Sequence, residues 1–194
     1  MTYLYRTISF LFLCVVLQAQ VLRSPIDKPF AFSGGFAELR NNHFHSGLDY
    51  RTGGVTGKPI YAIQDAYVAR IGVSPSGYGN VLYLNHADGT TSVYAHLERF
   101  DSKIDEYVKN EQYARESFAV SLYLNEPLLA VKKGDVIAWS GNTGSSGGPH
   151  LHFEIRDTET ENPLNPVFYP LEISDKTAPE IVSLYVYPLD SRAM

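Results

Sequence analysis

A chain of 194 residues with 44% hydrophobic and 19% charged side chains can bury one sizeable core plus appendages, which argues against intrinsic disorder. The net charge of −5 argues against nucleic acid as a partner, because phosphate binding needs a basic face. Fourteen tyrosines and ten phenylalanines, with many valines, favour β structure.

The chain opens on the pattern of a secretory signal peptide over residues 1–19. Arg6 supplies the positive start, Ile8 to Leu17 an apolar run, and Leu17-Gln18-Ala19 a cleavage site before Gln20. The run falls well short of the roughly 20 residues that a spanning helix needs, so cleavage is expected over anchoring. Export to the periplasm, cell envelope or medium follows. Cys14, the single cysteine, lies inside the run and precedes Val15 and Val16, a poor setting for lipidation. Removing the signal leaves no cysteine for a disulfide.

Residues 20–172 are expected to form the main domain. Val21 to Tyr50 is loop-rich, punctuated by Pro25, Pro29, Gly34, Gly35, Asn41 and Asn42. Pro59 to Ile63 and Ala66 to Val73 read as strands about a turn at Gln64-Asp65. Val81 to His86 and Thr90 to Leu97 flank Asp88-Gly89, a hairpin signal. With two central turn residues, Leu82 and Leu84 would face Ala95 and Val93 on a core side. Val81, Tyr83 and Asn85 would face His96, Tyr94 and Ser92 on a groove side.

Asp101 to Ser117 has helical spacing in Ile104, Tyr107 and Val108, with Ser102 and Asp105 resembling a capping box. It reads as an insertion into a β domain. Phe118 to Leu124, Pro127 to Val131 and Val136 to Trp139 return to strands, and Gly57-x-x-Ile60 echoes Gly134-x-x-Ile137. A Gly- and Ser-rich loop, Gly141 to Gly148, leads into the strand His150 to Arg156. Residues 173–194 read as a linker and the start of a truncated C-terminal β domain, with a strand over Ile181 to Tyr187.

Four of the six histidines fall in three short segments. On a strand, His150, His152, Glu154 and Arg156 share one face, while Leu151, Phe153 and Ile155 point to the core. Same-face neighbours lie roughly 7 Å apart, so one imidazole can bind a metal while the other stands beside it. Taken alone, His-x-His equally fits two surface histidines. His45 and Asp49 could converge on one ion from a loop, since a carboxylate flanked by Leu48 and Tyr50 needs a partner. A salt bridge from Asp49 to Arg40 or Arg51 answers the same need. His43 is the rival ligand, and His86 on the core side reads as a structural hydrogen-bonding residue.

Taken in order, His45-x-x-x-Asp49, Tyr94-x-His96-Leu97 and Gly148-Pro149-His150-x-His152-Phe153 closely resemble the lysostaphin-type zinc peptidases, the M23 family of peptidoglycan endopeptidases. The likeness extends to Gly77-Tyr78-Gly79-Asn80, Asp88-Gly89, Val131-Lys132-Lys133-Gly134 and Ser140-Gly141-Asn142-Thr143-Gly144, over roughly residues 30–168. It implies a mainly β fold, an antiparallel sheet domain of the duplicated hybrid motif kind, with a groove across one face. It implies Zn2+ held by His45, Asp49 and His152, with His96 and His150 as the catalytic pair and a peptidoglycan peptide as substrate. Ala37 stands where the family usually shows glycine, and the helical insertion is longer than in the minimal domain. Two other readings compete. A non-catalytic wall-binding activator would usually lack a ligand, whereas all five positions are filled. A sugar-transport phosphocarrier would have no cytoplasmic phosphodonor after export and no use for Asp49.

Overall fold

The computed structural model describes residues 21–41, 43–124, 128–171 and 183–184. The signal peptide and Cys14 lie outside them. Of the strand expected over Ile181–Tyr187, only Ser183 and Leu184 are described, and both are exposed and outside any strand.

Among the described residues, eleven strands and one α-helix follow in order: β1 (Phe32–Gly34), β2 (Leu48–Arg51), β3 (Pro59–Tyr61), β4 (Ala66–Val73), β5 (Asn80–His86), β6 (Thr90–Phe100), α1 (Ser102–Ala114), β7 (Val120–Tyr123), β8 (Ala130–Val131), β9 (Val136–Ser140), β10 (His150–Asp157) and β11 (Pro163–Leu164), with a 3-10 turn over Pro166–Phe168 after them. All pair antiparallel; seven run in the order β1-β2-β10-β6-β5-β4-β7, with β11 on β10, β8 on β4, and β9 joining β3 to β6. The mainly β fold with one helix is as expected. No helix among the described residues is long and apolar enough to cross a membrane.

One face of this sheet is the core. Tyr50, Tyr94 and Phe153 are fully buried there, the Tyr94 and Phe153 rings lying edge-on with centroids 5.4 Å apart. Edge-on aromatic pairs contribute roughly 0.5–1.5 kcal/mol beyond the area they bury. The Tyr94 hydroxyl is not stranded, because it accepts from the Ile63 backbone N–H at 3.2 Å. The alternation Leu151, Phe153, Ile155 is buried as the strand period requires.

The β5–β6 hairpin corrects the expected register. Leu82 pairs with Tyr94, Tyr83 with Val93 and Leu84 with Ser92, one residue away from a two-residue turn. The loop has three residues, Ala87 to Gly89, closed by Gly89 at φ +83°. That is the three-residue hairpin with a left-handed glycine. Leu82 and Leu84 therefore share the main core with Tyr94, while Val81, Tyr83, Val93 and Ala95 form a smaller cluster on the opposite face under Tyr78.

Sequence-local rules also miss a bulge in β6. Asn80 pairs with Leu97 while Leu82 pairs with Tyr94, so Ala95 and His96 together oppose Val81. His96 takes φ +59°, the left-handed region a non-glycine residue rarely adopts. Beyond the bulge β6 leaves β10 and pairs with β9, Leu97 opposite Ser140 and Phe100 opposite Ala138. The bulge bends the strand as it changes partners within the one sheet, and His96 sits at that corner.

The Gly-x-x-Ile echo is a pairing. Gly57 N donates to Ser140 O at 2.7 Å and Gly134 N to Ala62 O at 2.9 Å, so each turn caps the strand that follows the other. Ile60 and Ile137 are both fully buried. Helix α1 is shorter than expected and ends at Ala114. Its N-cap is Asp101, not Ser102, with the Asp101 carboxylate accepting from Ile104 N at 2.8 Å. Ile104 and Val108 anchor it to the core.

Candidate metal centre and catalytic groove

Strand pairing places the histidine strand against both of the other segments. His152 lies opposite Asp49 on β2 and opposite Ala95 on β6. The groove face of β10 thus meets Asp49 on one side and the His96 bulge on the other. The loop before β2 crosses close to β10, and Gly47 permits it: a Cβ there would lie 2.2 Å from the Phe153 carbonyl. His45, two residues earlier, is brought over the same spot.

His45 Nε2, Asp49 Oδ1 and His152 Nδ1 converge, with His45 to Asp49 at 3.1 Å, His45 to His152 at 3.0 Å and His152 to Asp49 at 2.9 Å. All three residues are buried, and they are the group of side chains placed to hold a metal among the described residues. Ring protons decide what these atoms can do. His45 Nδ1 donates to the Gly35 carbonyl at 2.7 Å, which leaves Nε2 with a bare lone pair. His152 Nε2 donates to Glu154 Oε1 at 2.7 Å, which leaves Nδ1 facing Asp49 and His45. Three acceptors facing one another at 3 Å repel unless a cation shares them. Two imidazole nitrogens and a carboxylate oxygen fit a divalent metal of the zinc type.

The electrostatics agree. Burial works against ionisation of Asp49, yet the His152 and His45 rings that face it, when protonated, hold its carboxyl well below the usual carboxylate range. Burial likewise works against a charged His152, but the Asp49 and Glu154 carboxylates raise its imidazole above the ordinary value. The pocket draws positive charge. The other Asp49 oxygen, Oδ2, is 2.9 Å from Arg40 Nη2. The salt bridge that competed with the metal reading is therefore present, but on the opposite oxygen.

His96 and His150 lie beside this centre with ring centroids 4.8 Å apart. Each is tied by Nδ1 to a backbone carbonyl: His96 to Thr143 at 2.8 Å and His150 to Gly148 at 2.8 Å. A neutral ring tied in this way has its lone pair at Nε2, and His150 Nε2 is 3.6 Å from Asp49 Oδ1. Burial pushes the His96 imidazole down to about 4, helped by His150 and His152 and opposed by its bond to Thr143. The Gly- and Ser-rich loop that holds these carbonyls is itself pinned. Thr143 Oγ1 donates to Leu97 O at 2.8 Å and accepts from Asn80 N at 2.9 Å. A groove of about 840 Å³ opens over the five residues, with Tyr78, Arg40 and Ser146 on its walls.

His43 lines the same groove but is not among the converging ligands. His86 is buried away from it, bonded to Ser92 Oγ at 2.8 Å and Asp65 O at 3.2 Å. Glu154 is a residue that sequence reasoning put on the groove face without giving it a task. It is fully buried and surrounded by donors, and although burial pushes its carboxyl up, His152 and Arg156 bring it down to about 2. The alternation His150-x-His152-x-Glu154 was the available signal.

The description Peptidase family M23 matches residues 43–114 and 122–166. DD-carboxypeptidase/endopeptidase Mpg from Neisseria meningitidis is 32% identical over 139 residues, 72% of this chain and 26% of that protein. Peptidoglycan DD-endopeptidase ShyB from Vibrio cholerae is 30% identical over 140 residues, 69% of this chain and 27% of that protein. The chain thus spans about a quarter of the length of these relatives. A solved zinc containing peptidase from Vibrio cholerae superposes with a TM-score of 0.55 at 25% identity, covering 76% of this chain and 39% of that one. On sequence and fold together, the chain belongs to peptidase family M23.

Proposed function

We propose that this chain is a zinc metalloendopeptidase that hydrolyses peptide bonds in the stem peptides or cross-links of peptidoglycan. The observation that carries the reading is the convergence of His45 Nε2, Asp49 Oδ1 and His152 Nδ1 beside two imidazoles whose own lone pairs face the same groove. Three protein ligands leave a position open for water and substrate. Zinc, when bound, supplies a water of near-neutral pKa and polarises the scissile carbonyl.

His45, Asp49 and His152 are the ligands in this reading. Gly35, Arg40 and Glu154 orient them from behind through the bonds described above. His96 and His150, each with Nδ1 fixed on a carbonyl, divide two tasks. One takes the proton of the attacking water at Nε2, and the other stabilises the developing oxyanion. Peptidoglycan as substrate is supported by the name of the related Vibrio cholerae endopeptidase. Export is supported by the pattern of residues 1–19. Residues 20–172 then form the peptidase domain.

Digestion of purified peptidoglycan, with the new termini identified by mass spectrometry, tests the activity. New amino termini at stem-peptide or cross-link bonds are expected, and unchanged muropeptides would overturn it. N-terminal sequencing tests export: a start at or next to Gln20 is expected, and a start at Thr2 in a membrane fraction would overturn cleavage.

A further inference from the structure

The ring of His152 is fixed from behind by a carboxylate to which the proposed hydrolysis gives no chemical step. Glu154 has no exposed surface. Its Oε1 accepts from His152 Nε2 at 2.7 Å, Ser46 Oγ at 2.6 Å and Tyr78 Oη at 2.5 Å. Its Oε2 accepts from Arg156 Nε at 2.6 Å. A buried carboxylate is costly unless its lone pairs are met, and here four donors meet them.

These donors come from separate parts of the chain. Ser46 follows the ligand His45, so the loop that carries one ligand is tethered to the carboxylate behind another. Tyr78 reaches Glu154 by its hydroxyl and, by its backbone carbonyl, accepts from His96 N at 2.9 Å. Arg156 donates to Glu154 and also to Tyr78 Oη at 3.2 Å. Glu154 is therefore the point where the His45 loop, the His96 bulge and β10 are tied together.

The proton count gives this junction a task. A neutral imidazole has two nitrogens and one proton, and His152 has a carboxylate oxygen near each: Glu154 Oε1 at Nε2 and Asp49 Oδ1 at Nδ1, the latter at 2.9 Å. A proton on Nδ1 would fill the space between the three candidate ligands. A proton on Nε2 leaves Nδ1 as a lone pair aimed at Asp49 and His45. Both carboxylates can only accept, so Asp49 favours a proton on Nδ1 as Glu154 favours one on Nε2. A metal shared with Asp49 and His45 takes the place of the Nδ1 proton, whereas nothing takes the place of the Nε2 proton, and Glu154 holds the second arrangement.

We propose that Glu154 is a positioning residue that keeps the ring proton of His152 on Nε2 and so presents Nδ1 for metal binding. The consequence for zinc rests on the function proposed above, while the placement of the proton does not.

Two measurements on the full chain test this. With 15N-labelled histidine, the His152 ring is expected to show a protonated Nε2; an Nε2 without a proton would overturn the proposal. Zinc competition against a chelator is the second measurement, on the parent and on Glu154→Gln. The amide can accept from His152 or from Arg156 but must turn its NH2 toward the other. Zinc affinity is expected to fall about 10–100-fold, the usual cost of losing such an outer partner. A packing role alone would lower the urea midpoint of the metal-free variant and leave zinc affinity at the parent level, and that result would overturn the proposal. Should Glu154→Gln not fold, the nitrogen spectrum of the parent decides. Should the parent take up no zinc, the zinc reading falls, and the Nε2 proton still decides the role of Glu154.

Discussion

The Nδ1–H of His96 donates to the backbone carbonyl of Thr143 at 2.8 Å, joining the corner of β6 to the loop before β10. A histidine in a bulge at φ +59° has no neighbouring ladder to hold its ring. The carbonyl supplies that hold and aims Nε2 into the groove. His45 makes the same kind of bond to Gly35, so what sets His96 apart is that it is not among the three converging side chains, and the proposed function gives it proton transfer in place of ligation.

That separation is testable. His96→Ala and His150→Ala should each lower turnover on peptidoglycan about a hundredfold or more while zinc content and thermal stability stay near the parent. His152→Ala should lose both metal and activity. Metal analysis of the three proteins beside a digestion assay checks this. An empty site in His150→Ala would mean that the two neighbours on β10 have exchanged roles.

The purified chain should hold close to one zinc, and His45→Ala or Asp49→Ala should each deplete it. Elemental analysis after dialysis reads the result directly. Full occupancy in Asp49→Ala would remove Asp49 from the ligand set and promote His43, which lines the same groove.

Ala37 adopts φ +61° in the turn that brings Gly35 to His45, with Ala37 N donating to His45 O at 2.8 Å. A left-handed alanine costs roughly 1–2 kcal/mol, offset in part by the greater freedom of glycine in the unfolded chain. Ala37→Gly should therefore stabilise by about 1 kcal/mol, a rise in melting temperature of about 2–4 °C. Calorimetry on parent and variant decides, and a lower melting temperature would refute the strain.

Burial holds the His86 imidazole below its ordinary value of 6.5, against the opposing pull of its bond to Asp65. The unfolded chain takes up this proton first, so the contribution of a neutral His86 to stability is complete above the ordinary value. It is lost as pH falls from there toward the depressed folded value. His86→Gln should cost about 1–2 kcal/mol at pH 7 through its altered bonds to Ser92 and Asp65. The gap between parent and variant should narrow as the medium is acidified. Urea titrations across pH 7 to 5 check the sign, and a gap that widens would contradict it.

Much of the site was legible because strand periodicity is short-range. His150, His152 and Glu154 fall on one face by alternation, and Leu151, Phe153 and Ile155 on the other, whatever lies elsewhere. The hairpin was less legible. Asp88-Gly89 suits a two-residue turn, but the left-handed glycine equally closes a three-residue loop. Pairing Tyr94 with Leu82 in the core settles that choice at long range. The bulge at Ala95–His96 exists because β6 turns from β10 to β9, a demand set by residues forty or more positions away. Asp101 as N-cap was open to sequence reading, since its carboxylate stands three residues before Ile104. The bond from His152 to Glu154 has spacing as its only sequence trace.

The ion pair between Arg40 and Asp49 reaches beyond the anchoring of a side chain. By occupying Oδ2 at 2.9 Å, Arg40 leaves the carboxylate a single oxygen to offer. Calcium takes six to eight oxygen ligands and magnesium a near-octahedral shell of them, so a cradle with one oxygen and two imidazole nitrogens serves both poorly. Discrimination between abundant hard cations and scarce borderline ones would then fall partly to an arginine that touches no metal.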